Sequence, residues 1–290
     1  MTSAPSLEST ELAKLAARHG LHPLGGRPGL VQYTRDLWRR RGFIWVMASS
    51  RSYSKNQNNY LGQLWGVLNP LLLAAVYYLV FGLLLGTTGG VQNYPGFLVI
   101  GIFVFTYISS SLTAGSNSVL SNVNLIRALK FPRAALPFSV TLSELVTLLP
   151  ALGVMVLLVL ITGEPISWEW LLVLPALALT HLFNTGAALI LARLVADARD
   201  LRNIVPVAIR LLRYVSGVFF SIAHYASQGL LGALMYYQPA AVYLNLARSA
   251  LLEEFHATWD LWVAGGAWAL VALALGYLVF WQAEERYGRG

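Results

Sequence analysis

Cysteine is absent from the 290-residue chain, which excludes disulfides, thiolate metal sites and thiol catalysis. Charge is scarce as well. Charged residues make up 11% of the sequence, against about 25% in an ordinary soluble domain. Across residues 56–126 there is no Lys, Arg, Asp, Glu or His in 71 consecutive positions. Only three lysines occur, Lys14, Lys55 and Lys130, and none follows a glycine. A Gly-x4-Gly-Lys-Ser/Thr loop, whose backbone amides would cradle nucleotide phosphates, is therefore missing. No His-Glu-x-x-His, Gly-x-Ser-x-Gly or well-placed carboxylate pair is present either, so the sequence offers little to catalysis and no metal site. Residues 1–20 have no apolar core and carry Glu8, Glu11, Lys14 and Arg18, which argues against a signal peptide. Residues 11–19 could form a short helix stopped by Gly20, and the Gly- and Pro-rich stretch 22–29 reads as a loop.

What the chain has is apolar surface. Hydrophobic residues make up 57% and the mean hydropathy is +0.60, more than a water-soluble globule of this size could hide. The expected class is an all-α integral membrane protein. A helix needs about 20 apolar residues to cross a ~30 Å hydrocarbon core, and six stretches qualify: 64–86, 95–117, 135–162, 169–195, 204–222 and 261–281. The runs are continuous rather than alternating, which favours helices over barrel strands. Trp65, Tyr94, Trp168, Trp170, Trp262 and Trp281 fall near their ends, where aromatic anchors belong.

The net charge of +7 invites a nucleic-acid reading, but its placement points to topology. Residues 1–63 carry nine Lys and Arg, the 118–134 loop three, the 193–203 region three and the 283–290 tail two. The alternate segments 87–94 and 163–168 carry none, and 223–260 only Arg248. The positive-inside rule then places both termini in the cytoplasm, with no nucleic-acid partner.

Two segments are hydrophobic without spanning. Residues 30–48 align Leu30, Tyr33, Leu37, Ile44 and Ala48 on one helical stripe opposite Arg35 and Arg39, as in an amphipathic helix lying in the membrane interface. Gly42 is a potential kink. Residues 226–255 read as two short apolar helices broken at Gln238-Pro239, a re-entrant hairpin on the outer side. The domain plan is a cytoplasmic tail over 1–29, an interfacial helix and hinge over 30–63, the six-helix region over 64–282 and a tail over 283–290.

Three segments, in order, resemble the permease subunits of type-2 ABC exporters. The first is Arg35-Asp36-Leu37, then Arg51 with Tyr53, then Leu61-Gly62-Gln63-Leu64-Trp65 with Pro70. The second is the Leu125-Ile126 to Phe131-Pro132-Arg133 element, and the third is Arg199-Asp200-Leu201 before the fifth stretch. The likeness covers residues 33–285 and is nearest to exporters of lipid-linked polysaccharide (O-antigen, teichoic acid, galactan), the mycobacterial-type galactan permeases in particular. One departure is the Asn-Gln-Asn-Asn run at 56–59, where the family often has basic or simple polar residues. The resemblance implies a homodimer in a bacterial inner membrane. It implies two copies of a separate ATPase subunit that bind ATP and Mg, so this chain would hold no cofactor and catalyse nothing.

Candidate roles follow, each beside a plainer one. Arg127, Lys130, Phe131, Pro132 and Arg133, with Asp197, Arg199, Asp200 and Arg202, are candidates to dock the ATPase; the plainer reading is inside-positive markers. Arg35, Arg39, Arg40, Arg41, Arg51, Tyr53, Lys55 and Trp65 form a candidate gate for a lipid pyrophosphate headgroup, because guanidinium forks suit phosphate oxygens; anionic membrane lipids would attract the same cations. Arg210 and Arg213 lie three apart on one helical face. Arg213 would sit roughly 15 Å deep at ~1.5 Å per residue, lining a pore or a dimer contact, or else snorkelling. Glu144 could pair with one of them or hydrogen-bond Ser143 or Thr147. Tyr77, Phe81, Phe103, Tyr107, Phe219, Phe220, Tyr236 and Tyr237 offer flat rings over which a sugar polymer could slide, or ordinary packing. The rival functions are a type-2 exporter of a drug or small lipid, an ion-coupled secondary transporter and a membrane scaffold. A secondary transporter would want intramembrane acids and an internal repeat, and the spans hold one acid away from their ends, Glu144, and no repeat.

Overall fold

A computed structural model describes residues 28–55, 60–88, 90–225 and 229–284. The expected helix at 11–19, the polar run at 56–59 and the arginines Arg286 and Arg289 lie outside them. Among the described residues every regular element is helical. In chain order we label α1 Leu30–Arg39, α2 Arg41–Ser54, α3 Gly62–Leu84, α4 Tyr94–Ser116, α5 Val123–Ala128, α6 Ala135–Ile161, α7 Trp168–Asp197, α8 Leu201–Val215, α9 Gly229–Tyr237, α10 Pro239–Leu251 and α11 Trp259–Gln282.

Five of these, α3, α4, α6, α7 and α11, are long and apolar enough to cross a membrane, and their ends fall within about two residues of the sequence expectation. The fifth expected span differs. In place of a helix over 204–222, α8 stops at Val215 after 15 residues, about 22 Å of rise against a ~30 Å core. Pro206, Arg210 and Arg213 lower its apolar content, and Gly217 turns the chain with φ 72°, a conformation that glycine adopts without strain. Beyond it, α9 and α10 are the two short helices expected, broken where Pro239 opens α10 and Gln238 is extended.

The long helices assemble around α4, of whose most apolar window 72% is buried, whereas α3 buries 11%. The start of α4 is fixed by Asn93, whose side chain accepts the Gly96 N–H at 3.0 Å, a standard N-cap. The most extensive pairing, α7 with α11, rests on small residues: a methyl group on Gly186 or Gly276 would run into the facing helix's backbone. Such close approach is how helices associate in lipid, where no hydrophobic force acts between them. Near its end α3 widens at Tyr78–Leu84, with Leu85 N–H donating to Val80 five residues back at 2.9 Å.

The amphipathic segment is broken at Arg40 rather than Gly42. Tyr33, Leu37 and Ala48 are buried as the stripe required. Tyr33 and Leu37 join a small protein core with Ala134, Ala135, Leu136 and Phe280, against which Ile44 packs, and Trp38 and Trp45 are left exposed.

Candidate functional site

The end of the bundle that carries the arginine-rich loops holds the first group of candidates. Arg127 and Lys130 expose their side chains, as do Asp197, Arg199, Asp200 and Arg202. Asp197 accepts from Arg193 one helical turn earlier at 2.8 Å. The Phe131-Pro132-Arg133 element points the other way. Pro132 is buried, and Phe131 packs on Phe43 of α2 with ring centroids 5.3 Å apart. Arg133 donates its backbone N–H to Glu284 at 3.0 Å, and its guanidinium donates to the Glu284 carbonyl. Phe131, Pro132 and Arg133 are thus turned into the chain's own packing, while Asp197 is paired on its exposed helix end.

At the hinge, Arg35, Arg39, Arg40 and Arg41 are exposed on α1 and α2, with Arg41 over the Trp38 ring at 5.4 Å. Tyr53 is exposed and Arg51 half-buried. Lys55 behaves differently. Its ammonium reaches both carboxylate oxygens of Glu144, at 2.9 and 2.8 Å. Glu144 therefore pairs with the hinge, and neither Arg210 nor Arg213 is its partner. Ser52 joins Thr147 one turn further along α6 at 2.9 Å. Beside the ion pair lies a cavity of about 150 Å³ bounded by Trp65, Asn69, Phe103, Tyr107 and Thr147. Phe103 and Tyr107 are buried, and the Tyr107 hydroxyl meets His181 Nδ1 of α7 at 2.9 Å. These two aromatics line that half-open cavity.

The remaining aromatics divide. Tyr77, Phe81 and Phe219 come together, with centroids 4.2 Å apart for Tyr77 and Phe219 and 5.9 Å for Phe81 and Phe219. Tyr214 joins at 5.7 Å, a ring the sequence reading passed over although it follows Arg213 directly. Arg213 lies over the Phe105 ring at 5.2 Å, while Arg210 is exposed. Phe220 packs partly buried against the main core. Tyr236 and Tyr237 stand edge to face at 5.2 Å, and the Tyr237 hydroxyl donates to Asp260 at 2.6 Å.

A residue with no expected role proves central to this geometry. Arg248 is 1% exposed. Its guanidinium donates to the carbonyls of Gly217 at 2.9 Å, Val218 at 3.0 Å and Phe97 at 3.4 Å, and stacks 3.4 Å from the Phe97 ring centroid. It thereby fixes the turn that delivers Phe219 to the aromatic group. Gly101 makes the room, since a Cβ there would lie 2.5 Å from the guanidinium. The sequence signal was its isolation, as the one cation in residues 223–260.

A multi-pass helical membrane protein with these loop elements has known relatives. Residues 43–252 match the family model described as ABC-2 type transporter, and the chain belongs to that family. It is also similar to the O-antigen export system permease protein RfbA of Klebsiella pneumoniae, 31% identical over 166 residues, which is 57% of this chain and 63% of that protein. The protein of the same name from Myxococcus xanthus is 26% identical over 67% of this chain and 74% of its own length. The chain thus aligns with somewhat less than two thirds of the Klebsiella relative.

Proposed function

We propose that this chain is the channel-forming, non-catalytic subunit of an ATP-driven exporter that moves lipid-linked polysaccharide out of the bacterial cytoplasm. Two copies would form the pore, with two copies of a separate ATPase on the basic loops supplying ATP and Mg. The observation that carries the reading is the group Tyr77, Phe81, Tyr214 and Phe219, in which Tyr214 is exposed, Tyr77 and Phe81 are half-buried and Phe219 is buried, on and beside α3, of whose most apolar window only 11% is buried. Flat rings with an occasional hydroxyl suit the alternating apolar and polar faces of sugars, and a second copy applied there would enclose them. The printed names of the relatives agree with a polysaccharide cargo. The arginines of α1 and α2 suit the phosphates of a lipid carrier, and the positive-inside count puts them on the cytoplasmic side.

The test is depletion of the chain in its native host. Surface polysaccharide should fall while lipid-linked polymer accumulates inside, and a P-loop ATPase should co-purify with the tagged chain. Unchanged surface polysaccharide together with altered resistance to a small amphiphile would instead identify a drug or lipid exporter.

A further inference from the structure

We infer that Glu284 is a positioning residue that clamps the 124–134 loop to α1, so that displacement of that loop is passed directly to the amphipathic segment. The geometry stands on its own observations, and its consequence for transport rests on the permease reading above.

The need for a clamp arises at the start of α6. The N-cap position of α6 is Ala134, which has no capping side chain. Ala135 and Leu136 donate back to the Pro132 and Arg133 carbonyls at 3.0 Å each, so the N–H groups left to satisfy are those of Arg133 and Ala134 at the entry to the helix. Two other elements supply the acceptors. Glu284, just past the end of α11, takes the Arg133 N–H on Oε1 at 3.0 Å. The Tyr33 hydroxyl of α1 takes the Ala134 N–H at 3.1 Å and donates to Glu284 Oε2 at 2.7 Å. A carboxylate is well placed there, because the partial positive charge at a helix start favours an anion. Tyr33 is 1% exposed and Glu284 8%, so water does not substitute easily for either.

Around this core α1 and α11 meet again. Thr34 and Tyr277 share a hydrogen bond at 2.8 Å, and Trp281 donates to the Pro28 carbonyl at 2.9 Å. Packing alone would hold the pieces together. The carboxylate adds direction, since its two oxygens accept from two different elements and fix their mutual angle. The loop bearing exposed Arg127 and Lys130 and the helix bearing exposed Arg35 and Arg39 thus share one polar joint.

The absence of cysteine makes the joint measurable. Gln32→Cys and Leu129→Cys place spin labels at exposed positions on α1 and the loop. In lipid nanodiscs, pulsed dipolar spectroscopy should give a single narrow distance in the otherwise native chain. Glu284→Ala should add a second population, Glu284→Gln should restore most of the narrow one, and Tyr33→Phe, which removes a hydroxyl and leaves no cavity, should broaden it. A distance distribution unchanged in both Glu284→Ala and Tyr33→Phe overturns the clamp. With the partner ATPase bound, Glu284→Ala should raise the ATP hydrolysed per polymer exported roughly 2- to 30-fold, the range for mutations along a coupling element, with ATPase binding retained. An unchanged ratio overturns the coupling role. Failure to bind any ATPase, with the distances responding as expected, removes the permease reading and leaves the clamp standing.

Discussion

At one end of the bundle Arg248 is buried among backbone carbonyls; at the other, Glu284 is buried among donors from two other elements. Among the described residues neither forms a close ion pair with a group of opposite charge; each is held by hydrogen bonds instead, although the buried Nε of Arg248 is left without a partner. The acceptors of Arg248 lie in the irregular turn after α8 and on α4. Carbonyls outside a helix must find donors within the protein when water is excluded, and the guanidinium provides several from one side chain. Its role is to make an irregular backbone tolerable and fixed. Glu284 instead joins elements that regular structure already satisfies except at the entry to α6, where the Arg133 and Ala134 N–H groups need acceptors. One charge braces a turn; the other links parts that can move.

The largest expected effect comes from removing the brace. Arg248→Met leaves the Gly217 and Val218 carbonyls buried without donors, at about 1–3 kcal/mol each. Thermal unfolding in detergent should show a heavily destabilised protein or none recoverable. Arg248→Lys should be intermediate, since an ammonium cannot fork toward several carbonyls. Gly101→Ala should act in the same direction by roughly 1–3 kcal/mol, because the added methyl occupies the space of the guanidinium. Near-native stability of Arg248→Met would show that the turn does not need its brace.

A smaller asymmetry is expected at the hinge. Lys55 is 42% exposed and Glu144 5%. Lys55→Met strands a buried carboxylate and should cost about 1–3 kcal/mol. Glu144→Gln leaves a lysine that can rehydrate, and should cost less than about 1 kcal/mol. The double variant should recover part of the loss, with a coupling of roughly 0.5–2 kcal/mol. Equal losses from the two single variants would mean that the hinge opens enough to wet Glu144, and the clamped picture of the basic end would weaken with it.

The spans were readable because hydropathy is a local property: uninterrupted apolar runs with Trp or Tyr at their ends fixed α3, α4, α6, α7 and α11 closely. The Pro239 break was equally local. The fifth stretch was readable only in part, because hydropathy summed over 204–222 does not show that the helix ends at Val215 and gives way to a buried glycine turn. Partners were the least readable. Lys55 and Glu144 are 89 residues apart and Tyr33 and Glu284 are 251 apart, and nothing local in either residue names the other. Phe131 and Arg133 show the same limit, since a family motif expected to face a partner is half spent on the chain's own packing. Arg248 was visible as an anomaly, but an anomaly in sequence does not say whether the charge faces water or carbonyls.

The smallest predicted effect concerns the cost of the clamp. Burial pushes the Glu284 carboxyl up from its ordinary value of 4.5, against the opposing pull of the Arg133 N–H, the Tyr33 hydroxyl and the Arg133 charge. Tyr33 itself is pushed up, chiefly by burial, and stays neutral, while Tyr277 faces the carboxyl from α11 without changing charge in this range. A carboxyl that holds its proton more tightly when folded favours the folded state most below pH 4.5. That contribution is lost as pH rises through the raised value. The unfolding temperature of the native chain, measured against Glu284→Gln, should therefore fall as pH rises from about 4 toward 7. A flat difference would mean that hydrogen bonding fully offsets burial. A declining one would mean that at neutral pH the chain keeps a carboxylate that a neutral side chain would make more stable, which is expected of a residue retained for the angle it sets between α1 and the loop.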